Sequence, residues 1–212
     1  STIFSFRHNC NDEAINMQKE IFYNYLKKIL PDTFQTFKQK FDGYFSWLIE
    51  ENTKINLISR QTPSDDIWTF HMMDSLLSIP FVDFSSKTIL DFGTGGGFPG
   101  IPLAILYPDS KITLLDSKKK KINSLKSAVE LLDLKNCSFL DLRIEEVPKS
   151  FSGTFDIIVS RSVKILPEFR TPLLNLLKSD GKLVLYKSKI LDDVALFKNA
   201  SIFDADDPNI GE

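Results

Sequence analysis

The residues best suited to chemistry lie in one stretch, Ile89-Leu90-Asp91-Phe92-Gly93-Thr94-Gly95-Gly96-Gly97-Phe98-Pro99-Gly100. An apolar run passes through Asp91 into a glycine loop that opens a helical segment. Doubly wound sheets hold nucleotides at such a junction. Gly95, Gly97 and Gly100 satisfy G-x-G-x-x-G, so a dinucleotide must be weighed. Asp91 argues against it, because a carboxylate at the strand end repels a pyrophosphate. S-adenosylmethionine carries an ammonium and a sulfonium and no phosphate, and it suits D-x-G-x-G-x-G better. The next apolar run ends in Leu114-Leu115-Asp116, where a second carboxylate can accept both ribose hydroxyls. Asp91, Gly95 and Asp116 are therefore candidate cofactor residues. The plainer alternatives are a strand-end cap for Asp91 and a turn residue for Asp116.

The surrounding pattern supplies the elements that would position them. β-rich runs at Thr88–Phe92, Lys111–Leu115, Ser138–Leu142, Phe155–Ser160 and Lys182–Tyr186 alternate with helical segments at Gly100–Tyr107, Lys119–Leu132 and Pro167–Leu177. The runs are largely apolar on both faces, which predicts a buried parallel sheet covered by helices. Upstream, Phe34, Phe37, Phe41, Tyr44 and Leu48 recur at helical spacing, with Asp32 placed to cap the start. A further helix is predicted from Ser64 to Leu77, with Ile67, Phe70, Met73 and Leu77 as its apolar stripe and His71, Asp74 and Ser75 beside it. The expected organisation is a helical cap over residues 1–84 and an α/β domain over 85–212, packed as one compact unit.

Composition narrows the classes. The 212 residues are 42% hydrophobic and 25% charged, a globular balance. No run of about 20 apolar residues occurs, so no membrane span is expected. No secretory or other targeting signal is visible, although the chain does not begin with Met. The two cysteines, Cys10 and Cys137, form no CxxC and read as inert thiols. With two histidines, His8 and His71, no metal site is expected. A cytoplasmic, reducing compartment follows. The net charge of −2 is unevenly spread, since residues 192–212 hold six acids and one base. The remainder carries 25 bases against 22 acids, and Lys118–Lys121 is an unbroken run. That run is either a solvated helix start or a nucleic-acid contact.

Asp91–Pro102 (DFGTGGGFPGIP), followed by Leu114-Leu115-Asp116-Ser117 and the lysines, resembles the RsmG (GidB) family of small-subunit ribosomal RNA guanine-N7 methyltransferases. The resemblance takes in Asn56-Leu57, His71–Leu76, Arg143-Ile144-Glu145-Glu146, Ser160-Arg161 and Lys187, and covers roughly residues 40–190. It implies a Rossmann-like class I methyltransferase sheet with an N-terminal helical cap. Its implied cofactor contacts are Gly93, Phe98, Ile144, Glu145 and Arg161. Its implied RNA pocket is Lys120, Lys121, Arg143 and Lys187, to which Lys118 is added from the charge run. The chain departs from the family pattern at Phe70, Lys121 and Ser188, and shows no final strand pair after Asn199.

The expected reaction is S-adenosylmethionine-dependent methylation of a guanine N7 in 16S ribosomal RNA, by a monomer. Guanine N7 carries no proton, so direct in-line transfer needs no general base. Lys187 and Arg143 are then substrate-positioning candidates. His71, Asp74 and Ser75 read first as a network pinning the cap to the sheet, and second as an edge of the pocket. Arg143 and Arg161 also admit a purely structural pairing with Glu145 or Asp156. The rival functions are a non-catalytic RNA- or ribosome-binding module and an NAD(P)-dependent oxidoreductase.

Overall fold

The computed structural model describes residues 10–32, 34–187 and 191–203. His8, Ser188 and the tail acids Asp204, Asp206, Asp207 and Glu212 lie outside the described residues.

Two helices open the described chain, α1 over Cys10–Ile29 and α2 over Phe34–Lys54. In α2 the buried side chains are Phe41, Tyr44, Trp47 and Leu48, so the apolar stripe does face the interior. α2 is described from Phe34, and the expected cap at Asp32 turns on residue 33, which lies outside the described residues. The expected helix over Ser64–Leu77 is not a plain α-helix. It is a π-helical segment, Ile67–Met73, running into a 3₁₀ turn, Asp74–Leu76. Side chains capture carbonyls here: Arg161 donates to Phe70 O at 3.0 Å and Ser75 Oγ to His71 O at 2.5 Å. Groups inserted into the backbone ladder in this way widen a turn.

The second half alternates strands and helices. β1 (Thr88–Phe92), α3 (Gly100–Leu106), β2 (Lys111–Leu115), α4 (Lys119–Leu131), β3 (Cys137–Leu140), β4 (Phe155–Arg161), α5 (Pro167–Leu176) and β5 (Leu177–Tyr186) follow in order. The five strands form one parallel sheet in the order β3-β2-β1-β4-β5. β5 starts earlier than the expected Lys182, and its pairing with β4 jumps from Phe155↔Leu177 to Ile157↔Lys182. β3 ends at Leu140, whose carbonyl still takes Asp116 N in the β2 ladder; beyond it Arg143 N turns to Glu146 Oε2.

Side chains alternate between two cores, as strands buried on both faces require. Ile89, Ile112, Leu114, Ile157 and Val159 join Phe22, Leu26, Phe41, Tyr44 and Trp68 in a large core shared with the cap. Leu90, Phe92, Leu115 and Ile158 meet Ile144, Ile165, Leu173 and Leu176 on the other face. Beyond β5 the described residues hold a 3₁₀ turn, Val194–Leu196. The expectation of a missing final strand pair after Asn199 turns largely on residues 204–212, outside the described set.

Candidate functional site

All the candidate residues fall at or just past the carboxyl ends of parallel strands. Gly93 follows β1, Asp116 follows β2, Arg143–Glu145 follow β3, Arg161 ends β4 and Lys187 follows β5. The chain winds outward from β1 through β2 to β3, then returns to β4 on the other side of β1. Ligands bind at this switch point, where the connections diverge and leave a crevice.

The glycine loop is tied down by its own backbone. Gly93 N and Thr94 N donate to Leu115 O, Gly97 N and Phe98 N to Thr94 O, Gly95 N to Asp116 Oδ2, and Gly100 N to Asp91 Oδ2. Six amides at this turn are thus engaged within the protein and not aimed at a ligand, which counts against a pyrophosphate here. Gly93, Gly95 and Gly97 hold φ of 73°, 57° and 100°, a region that side chains disfavour. A Cβ on Gly93 would also stand 2.4 Å from Val163 Cγ2.

Asp91 lies beneath the loop and is not presented at its mouth. Its carboxylate is fully buried, accepting from Thr94 Oγ1 at 2.6 Å and Gly100 N at 2.9 Å. Its Oδ1 has no partner among the described residues. Burial pushes the carboxyl up from 3.8 to about 7, against the opposing pull of Thr94, Gly100 and Arg161. Asp116, 9% exposed, is held by Gly95 N at 3.1 Å and Lys118 N at 2.8 Å. Each of its oxygens keeps a further lone pair for a hydroxyl donor.

The cap supplies what the sequence did not disclose. Tyr44, fully buried on α2, donates to Gly96 O at 2.6 Å and packs its ring against Phe98, 5.3 Å between centroids. Asn52 Oδ1 accepts Leu57 N and Ile58 N, fixing the segment against which Gly95 and Gly96 rest. Tyr44 stands in the sequence as one more stripe residue. The available signal is that a phenol in a buried stripe needs a hydrogen-bond acceptor.

Phe98, expected at the cofactor, is 2% exposed, stacked on His71 at 5.2 Å with the Arg161 guanidinium 5.1 Å from its ring. Arg161 pairs with Asp74 at 3.1 Å and reaches His71 Nδ1 at 2.7 Å; it pairs with neither Glu145 nor Asp156. Asp156 instead meets Lys178 at 2.6 Å. Burial first, and then the Arg161 charge, pushes His71 down to about 3. Burial also raises Asp74 above its usual range despite the Arg161 contact.

The remaining candidates are split. Ile144 is buried in the second core, while Glu145 and Arg143 are exposed beside it. Lys118, Lys119 and Lys120 are exposed and Lys121 half-buried at the start of α4, and none is ion-paired among the described residues. Lys187 is not a free reaching arm. Its Nζ donates to Val163 O at 2.8 Å and is ion-paired to Asp193, itself bonded to Ile165 N. Asp193 has no motif around it in the sequence that would mark this role.

An open parallel sheet of this order, with a glycine loop after β1 braced by its own hydrogen bonds, an acid beneath it and a second acid after β2, defines a Rossmann-like fold of the class I methyltransferase type. The chain belongs to the family described as rRNA small subunit methyltransferase G, whose sequence pattern matches residues 37–207. It is similar to the Ribosomal RNA small subunit methyltransferase G of Mesoplasma florum, 39% identical over 74% of this chain and 65% of the relative. The proteins of the same name from Streptococcus uberis and Chlorobium phaeobacteroides are 37% and 42% identical, over 83% and 73% of this chain. Those matches span 76% and 68% of the two relatives, so the chain corresponds to about two thirds to three quarters of their length. Among solved structures, a SAM-dependent methyltransferase from Aquifex aeolicus superposes with a TM-score of 0.49 at 24% identity, over 58% of this chain and 66% of its own.

Proposed function

We propose that this chain methylates the N7 of a guanine in 16S ribosomal RNA, using S-adenosylmethionine, and acts as a monomer in the cytoplasm. The observation that carries the cofactor is the glycine loop. Most of its amides bond within the protein, and the unpartnered oxygen of a buried aspartate lies beneath it, which suits a cationic ligand better than a phosphate. Gly93, Gly95, Asp116, Glu145 and Arg161, at or just past the carboxyl ends of their strands, are the residues proposed to hold the cofactor, with Ile144 buried behind Glu145. When bound, S-adenosylmethionine supplies an electrophilic methyl group on a sulfonium.

The chain's own part is placement. Guanine N7 offers an in-plane lone pair and no proton, so rate enhancement comes from alignment in a site shielded from water. His71 fits no base role, since its Nδ1 lone pair is spent on Arg161. The lysines at the start of α4 support RNA as substrate. A helix N-terminus disfavours cations by about 0.3–1 kcal/mol each, so four lysines there oppose the dipole and suit an anionic partner. Family membership supplies the reading of that RNA as small-subunit ribosomal RNA. No helix among the described residues is long and apolar enough to cross a membrane.

The test is incubation with S-adenosylmethionine and unmodified small-subunit RNA, naked and assembled into the subunit, followed by mass spectrometry of nucleosides. New 7-methylguanosine is the expected result. RNA binding without methylation would leave a non-catalytic binding module, and a methyl group on any other atom would overturn the N7 assignment.

A further inference from the structure

Arg161 ends β4 at the switch point between β1 and β4, its side chain only 11% exposed, with Phe98 of the glycine loop beside it. A guanidinium has five N–H donors in a rigid fork. The cap takes three of them: Nη1 serves Phe70 O and Asp74 Oδ2, and Nη2 serves His71 Nδ1. Nε has no partner among the described residues although it is buried. Nε–H and one Nη2–H therefore remain, a pair of donors whose spacing matches the two oxygens of a carboxylate. The electrostatic setting fits, because Asp91 beneath the same loop feels the Arg161 charge and provides the complementary sign for an ammonium.

We infer that His71 and Asp74 are positioning residues, holding Arg161 so that its two remaining donors clamp the α-carboxylate at the methionine end of S-adenosylmethionine. The inference rests on the methyltransferase reading and adds to it a specific role for the π-helical segment. His71 does two jobs in this arrangement. Its ring stacks on Phe98, and its Nδ1 fixes the rotation of the guanidinium. Asp74 neutralises the arginine and fixes the opposite edge. Misplacement of such a clamp by about 1 Å is enough to cost on the order of a hundredfold.

The experiment is calorimetric titration of the full chain with S-adenosylmethionine and with its decarboxylated analogue. His71→Phe keeps a ring on Phe98 and removes the acceptor. His71→Asn retains an acceptor near the Nδ1 position. His71→Phe should weaken S-adenosylmethionine about 10- to 100-fold and leave the decarboxylated analogue unchanged, and His71→Asn should recover most of the loss. Equal losses for both ligands, unchanged affinity in His71→Phe, or an Asn variant as weak as the Phe variant would each overturn the inference. Should His71→Phe fail to fold in a thermal melt, Asp74→Leu, which removes both acceptor oxygens, decides on the same two ligands: a selective loss upholds the clamp and a uniform or absent loss overturns it. A parent chain that binds neither ligand would instead sink the methyltransferase reading.

Discussion

On the cap side of the rim, Asp91, His71, Asp74 and Arg161 are withdrawn from water and bonded to one another or to the backbone. On the α4 side, Lys118, Lys119 and Lys120 stand in solvent without partners among the described residues. The two halves of one rim thus handle charge by opposite means. Buried groups interact strongly but only in one geometry, whereas exposed ones interact weakly, at longer range and subject to salt. A small cofactor with three charged groups needs the first kind of surface. A long polyanion whose phosphates are interchangeable needs the second.

The sharpest way to break this contrast is Asp91→Asn. The folded protein raises the Asp91 carboxyl to about 7, so it binds that proton more tightly than the unfolded chain does. The associated stability is present below about pH 4 and is lost as pH rises toward 7. A displacement of that size corresponds to at most ~4 kcal/mol. Asparagine keeps an oxygen for Thr94 and Gly100 without the buried charge. The variant should therefore melt higher than the parent at pH 8, while S-adenosylmethionine binds roughly 10- to 100-fold more weakly for loss of about 1.5–3 kcal/mol of charge-assisted contact. A parent-like melting curve across pH 4–8 would show that Asp91 is not held as a buried charge.

Tyr44→Phe is the next largest. It leaves Gly96 O unpaired in a buried place, a loss of about 1–3 kcal/mol. Because the phenol holds the loop from the cap, affinity for S-adenosylmethionine should fall with stability, while the salt dependence of RNA binding stays put. An unchanged cofactor affinity in calorimetry would detach the cap from the loop.

The smallest effect belongs to the lysines. Changing Lys120 and Lys121 to Gln should lower the slope of log RNA affinity against log salt by roughly one to two units, at about 0.7–0.9 per phosphate. S-adenosylmethionine affinity and melting temperature should barely move. A parent-like slope in filter-binding titrations would make the run a solvated helix start.

Much of this protein is legible in its residues. The five strands emerge because burial on both faces leaves contiguous apolar runs, and the glycine loop because left-handed backbone and close approach to Val163 demand residues without a Cβ. Asp116 is legible for the same reason, as the acid that ends the neighbouring strand. The helix over Ile67–Leu76 was visible only in kind. Its π-turn comes with a contact from Arg161, about 90 residues further along the chain, which takes the Phe70 carbonyl.

Lys187 shows the limit most plainly. By position it ends β5 on the ligand rim, and that much follows from the order of elements. Its availability depends on Asp193, whose carboxylate meets it after the chain turns back from the sheet. The depth of Asp91 and the donors left on Arg161 are of the same kind. Local sequence determines which backbone shapes and apolar faces are affordable, because sterics and periodicity act between near neighbours. Which charges are buried, and which partners satisfy them, was decided only when the cap closed over the sheet and brought together groups far apart in the chain.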